Sequence, residues 1–269
     1  MDEVEEGILA ARAGATSEAS ELWSAMARED PVFAAAGSSS CDPDVKYPSW
    51  IGDCVDPQHG LALDAGCGYG RVSIPLLLQS SRLTLVGADI SLVVLREFMR
   101  LARRHDVAER IVLYHGGLTR LPPHEATFDC VLSVAVLLHL PRSETRRVLQ
   151  ELHRVLRPGG RMILAFCFPN LANLEVLQSW LYERLLRDPA RNGPVRVCTR
   201  AQVSQLFEGW REVEIIERGA NLLPRQLFGI ALPGATAIRD LNQRAEGQLP
   251  GWVVRRGWVL SQHDVVTTK

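Results

Sequence analysis

With 269 residues, 46% of them hydrophobic, the chain can bury a sizeable core and fits one elaborated domain better than two independent ones. A formal net charge of −1 gives no global attraction to nucleic acid or to a membrane surface, and no apolar run reaches the length of a bilayer span. Six cysteines without a C-x-x-C and seven histidines without an H-E-x-x-H predict reduced structural thiols and no metal site.

The acidic start, "MDEVEEGILAARAG", lacks the basic and apolar regions of a secretory leader, so a cytoplasmic location is expected. Residues 1–36 read as one or two helices, with Leu22, Trp23 and Met26 on one face behind a cap at Thr16. A Ser/Asp/Pro-rich stretch over 37–53 reads as loop and carries Tyr47 and Trp50. From Leu61 the chain alternates. "LALDAG", "RLTLVGAD", "RIVLYHG", "FDCVLSV" and "RMILAFC" predict strands, with helices over 74–78, 91–104 and 143–156, the last stopped by "RPGG". Such alternation predicts βαβ units and a doubly wound, mostly parallel sheet of seven strands. A helix over 170–188, a capped helix over 199–210 and strands over 211–219 and 257–265 complete the pattern. The expected division is a helical N-terminal cap over 1–54 and a main domain over 55–269, with insertions after its fifth and sixth strands near 169–198 and 220–256.

The first predicted strand ends in Asp64 and turns through Gly66, Gly68 and Gly70 into a helix. Without Cβ atoms in the way, main-chain N–H groups there come within reach of a ligand. A dinucleotide fingerprint needs G-x-G-x-x-G, and the residue three after Gly68 is Arg71, so that spacing fails. The loop D-x-G-x-G-x-G resembles instead the first motif of the class I S-adenosylmethionine-dependent methyltransferases. Further matches follow in order: Asp89 at the end of the second strand, "GGLTRLP" (116–122), "FDCVLSVAVLLHLP" (128–141) and "ELHRVLRPGGRMIL" (151–164). Together they cover roughly residues 55–168 and look most like small-molecule enzymes of the ubiquinone-biosynthesis type.

The resemblance implies S-adenosylmethionine as cofactor and S-adenosylhomocysteine as product. It places Asp64, Gly66, Gly68, Gly70 and Arg71 along the cofactor, Asp89 on both ribose hydroxyls with Ile90 beside it, and Gly117, Leu118, Ser133 and Val134 around the remainder. Gly117 stands where the family commonly has an aspartate for the adenine amino group, which leaves the backbone N–H of Leu118 as the expected contact.

Each assignment has a plainer counterpart. Asp89 is also placed to cap the helix that begins near Ser91, and Asp129 to organise the turn before the fourth strand. Arg96, Arg100, Arg103 and Arg104 form a solvated helix face, since no aromatic residues interleave them. His139, just past the fourth strand, is either a general base or a packing residue. Tyr47 and Trp50 either close over a sulfonium or pack the N-terminal helices. The expected function is methyl transfer to an oxygen or nitrogen of a small molecule, such as a natural product or sugar. The alternatives are a non-catalytic subunit that binds the same cofactor and a nucleic-acid methyltransferase, the latter disfavoured by neutral charge and the lack of an N/D-P-P-Y/F tetrapeptide.

Overall fold

A computed structural model describes residues 2–5, 7–10, 18–29, 49–55, 60–170, 195–220 and 260–269, with scattered positions between 226 and 248. The central sheet is built from β3 (Leu61–Ala65), β4 (Thr84–Asp89), β5 (Ile111–His115), β6 (Phe128–Val134) and β7 (Leu156–Pro169), all parallel. β8 (Glu214–Ala220) lies at one edge, and β11 (Leu260–Thr268) runs antiparallel between it and β7. The order β5-β4-β3-β6-β7-β11-β8 reverses direction between β3 and β6. In an open parallel sheet that reversal opens a crevice beyond the carboxyl ends of the strands, where such folds bind ligands.

Strands buried on both faces need apolar residues throughout, and β3 is buried from Ala62 to Ala65. α3 (Ser73–Gln79) and α4 (Leu92–Arg104) cover one face, with Leu77, Leu95 and Phe98 against Leu85, Leu113 and Ile163. α5 (Arg142–Val155) and α6 (Arg200–Leu206) cover the other, with Leu149, Leu152 and Val203 among Leu63, Val131 and Leu164. α6 is entered through Thr199, whose hydroxyl accepts from the Gln202 N–H while the Gln202 side chain accepts from the Thr199 N–H.

Several expectations need correction. The amino terminus is not wholly helical: β1 (Asp2–Glu5) and β2 (Ile8–Ala10) form an antiparallel pair, and β2 runs parallel to β5, so among the described residues the sheet has nine strands, not seven. Among the described residues, α1 (Glu18–Glu29) answers to the one or two helices predicted there; Thr16 and the Met26 side chain lie outside the described residues. α2 (Ser49–Cys54) occupies the end of a stretch expected to be loop. "RPGG" does not precede β7 but lies inside it: pairing with β6 jumps from Leu156 to Arg161, so residues 157–160 bulge. Gly159, at φ 75, donates to the Lys269 carbonyl, and Lys269 Nζ donates to the carbonyls of His153, Arg154 and Leu156, closing the last turn of α5. The helix expected over 170–188 lies outside the described residues. Of the second insertion, the described part is a short hairpin, β9 (Gln226–Leu227) with β10 (Ile230–Ala231), and isolated positions beyond it.

Candidate functional site

The glycine loop occupies the carboxyl end of β3, between the ends of β4 and β6. Its three glycines, equivalent in sequence, meet different surroundings. A Cβ on Gly66 would lie 2.2 Å from Val136 Cγ2, and one on Gly70 2.3 Å from the Phe98 ring, so both glycines admit packing from within the protein. Among the described residues, nothing lies within 4 Å of that position on Gly68, or on Gly117 in the neighbouring loop after β5. Backbone open to unfilled space at two points on the crevice is what an incoming ligand needs.

The two strand-end acids also part company. Asp64 is buried, and its carboxylate accepts a short hydrogen bond from the Ser73 hydroxyl, which fastens the first turn of α3 to the end of β3. Burial pushes its carboxyl up to about 7; the Ser73 hydrogen bond opposes the shift, the Asp89 charge adds to it and Arg71 subtracts. Asp64 therefore supports the loop from behind. Asp89 is half-buried and reaches the loop directly: Oδ2 accepts from the Gly68 N–H at 2.9 Å, and Oδ1 from the Ser91 N–H at 2.9 Å, ahead of α4. The carboxyl is raised by burial and held down by the backbone donors of Ser91, Gly68 and Ile90 and by the nearby His115. Three donors leave room on a carboxylate for one more, so the helix-cap reading and a ribose contact are compatible.

Around this centre the Gly116 N–H donates to the Asp89 carbonyl at 2.9 Å, fixing the 116–118 loop against β4 beside exposed Gly117 and half-buried Leu118. Arg71 is half-buried at the start of the turn into α3. Ile90 is half-buried, and its carbonyl lies 3.1 Å from His115 Nε2. Val134 is nearly buried at the end of β6. Ser133 faces inward: wholly buried, it donates its hydroxyl to the Ala65 carbonyl at 2.8 Å and ties β6 to β3 below the crevice. Asp129 accepts from the N–H groups of Gly60 and Leu61, both at 2.8 Å, and pairs with Arg157, an organising role at the far end of the sheet.

His139 ends a 3-10 turn (Leu137–His139) after β6, held by its N–H to the Val136 carbonyl at 3.0 Å. Its ring meets Trp23 of α1 edge-on, with centroids 4.8 Å apart. Trp23 thus brings an aromatic ring to the turn after β6; Tyr47 and the Trp50 side chain lie outside the described residues. The helical spacing of Ser20, Trp23, Ser24 and Ala27 carried that signal, but it is masked in sequence by the apolar pattern of Leu22, Trp23 and Met26. A cavity of about 200 Å³ borders the same turn from the α5 and α6 side, lined by Leu137, Leu140, Phe168, Arg142, Arg196 and Leu206 among others. A second, of about 500 Å³, lies around His153, Trp210 and Lys269 at the opposite end of the sheet.

Residues 62–160 match a protein family described as a methyltransferase domain. The 27-O-demethylrifamycin SV methyltransferase of Amycolatopsis mediterranei (strain S699) is 33% identical over 42% of this chain and 41% of its own. The tRNA U34 carboxymethyltransferase of Pseudoalteromonas atlantica (strain T6c / ATCC BAA-1087) is 38% identical over 43% of this chain and 36% of its own. The chain thus spans less than half the length of either relative. Among solved structures, the [4+2]-cyclase SpnF superimposes with a TM-score of 0.59 at 16% identity, covering 96% of this chain and 97% of that one, a likeness of fold.

Proposed function

We propose, for a chain that carries a class I S-adenosylmethionine-dependent methyltransferase domain, the transfer of a methyl group to an oxygen or nitrogen of a small molecule. One observation carries the reading: at the sheet's reversal, Gly68 and Gly117 present open backbone while Asp89 offers a carboxylate already aligned by the loop. These residues fit an adenosine ligand, with Asp89 on the ribose hydroxyls and the 116–118 loop beside the base.

When bound, the cofactor supplies a sulfonium-activated methyl group. Displacement at that carbon asks the protein for alignment and water exclusion more than for covalent help. Asp64 and Ser73 stiffen the loop from behind, Val136 packs on Gly66, and α1 shields the turn bearing His139. His139 is the titratable side chain on that turn and takes the acceptor proton where the acceptor needs one removed. The small-molecule acceptor draws support from the relative named for 27-O-demethylrifamycin SV and from the neutral overall charge.

Calorimetry with S-adenosylhomocysteine should show one saturable site, and incubation of the protein with methyl-labelled S-adenosylmethionine and, in parallel, a small-molecule extract or total transfer RNA should label a low-mass product. Label appearing in transfer RNA instead, as the second relative's name allows, would replace the acceptor class. Stabilisation by NAD with no response to either nucleoside would overturn the reading altogether.

A further inference from the structure

In the sheet β3 stands between β4 and β6, so an element that touches the segments following both bridges the two sides of the strand that carries the glycine loop. α1 does this. Ser20 Oγ donates to the Ile90 carbonyl at 2.9 Å, and Ser24 Oγ lies 3.1 Å from Ser91 Oγ, both just past β4. From between those two serines Trp23 reaches the other way, its indole at 68° to the His139 ring on the turn after β6. The indole is half-buried: part of it is packed and part is not. An aromatic ring is therefore held between the segment that follows β4 and the turn that follows β6, the two sides of the strand that carries the glycine loop.

We propose that Trp23 recognises the positive charge of the methyl donor and so separates donor from product. The proposal rests on the reading of S-adenosylmethionine as cofactor. Methyl transfer converts a sulfonium into a neutral thioether, and little else about the nucleoside changes. A side chain that discriminates the two must respond to charge. An indole does so through its quadrupole, more strongly in a partly dehydrated crevice than in water. Asp64 is turned away into its hydrogen bond with Ser73, and Asp89 is directed at the loop backbone and the ribose side. The consequence is a wall that holds the donor and relaxes its hold once the charge has left.

The test compares binding of S-adenosylmethionine and S-adenosylhomocysteine to the full chain and to its W23L and W23F variants by calorimetry, with circular dichroism to follow folding. W23L should lose about 2- to 30-fold in affinity for the sulfonium and less than 2-fold for the thioether, while W23F recovers most of the loss. Equal losses for both ligands, or none, overturn the proposal, because a merely structural tryptophan does not sense charge. Should W23L not fold, W23M, apolar and closer in size, carries the same comparison. Wild-type protein that binds neither nucleoside overturns the assigned function along with the proposal; wild type that binds both, with variants of unchanged selectivity, overturns the proposal alone.

Discussion

Asp64 and Asp89 look alike in sequence, each an acid closing an apolar strand, yet burial sends them to different tasks. With its carboxyl raised to about 7, Asp64 binds a proton in the native state across a range where the unfolded chain, titrating near 4, has released it. Its contribution to stability is therefore fully present below about pH 4 and is lost as pH rises through 7. In the ligand-free protein, D64N should be more stable than wild type at pH 8.5, by at most about 4 kcal/mol, and the advantage should shrink as pH falls and vanish towards pH 4. Urea melts at the two pH values decide it, and a pH-independent difference would contradict the assignment. Asp89 is the ligand-side acid. D89A should weaken S-adenosylhomocysteine by about tenfold or more and cost about 1 kcal/mol of stability through the lost cap. An unchanged dissociation constant in a folded D89A protein would reduce the residue to a helix cap. The position of Asp89 at a strand end was legible from the sequence. The inward turn of Asp64 and Ser133 was not, because strand alternation says which residues leave the sheet's plane together and not whether a helix or a ligand waits there.

At the level of elements, three identical glycines divide into two that face protein and one that faces the crevice. Gly70→Ala would drive a methyl into the Phe98 ring, already wholly buried, and should cost several kcal/mol. Gly68→Ala, at φ 53 and with open space around it, should cost only about 1 kcal/mol of backbone strain and leave a folded protein that binds the nucleoside poorly. Thermal melts and calorimetry on the two variants separate the effects; a G68A protein with wild-type affinity would show that no ligand approaches there. From β3 to α5 the element boundaries were readable to within about two residues, since each strand is apolar on both faces and each helix has one apolar side. The bulge at 157–160 was not. "RPGG" has the composition of a turn, and the C-terminal Thr267–Lys269 segment pairs along it to keep the strand continuous, a contact of high sequence separation.

On the scale of the whole molecule, the amino-terminal segment completes two structures at once. β1 and β2 carry the sheet past β5, and α1 bridges the segments that follow β4 and β6. α1 was legible as a helix though not in its position, and the strands were not legible, because "MDEVEEGILA" has too few apolar residues to specify a strand alone; β2 is a strand because Ile8–Ala10 pair with Leu113–His115, and Ile8 is buried in the core. Removing residues 1–30 should therefore have two separable effects. The remaining seven strands keep both apolar layers, so the core should still fold, although less stably for the loss of Ile8. β5 would become an edge whose N–H and C=O groups lack partners along Ile111–His115, with Val112 already exposed beside them, and such an edge pairs with another copy of itself. At the same time the crevice would lose Ser20, Trp23 and Ser24, weakening the sulfonium more than the thioether. Sedimentation should show concentration-dependent association of the truncated chain, and calorimetry a fall in affinity with reduced donor selectivity. A monodisperse truncated monomer of wild-type affinity would show that the segment neither protects the edge nor closes the site. Association with binding unchanged would leave β1 and β2 their edge role and take from α1 its place over the cofactor.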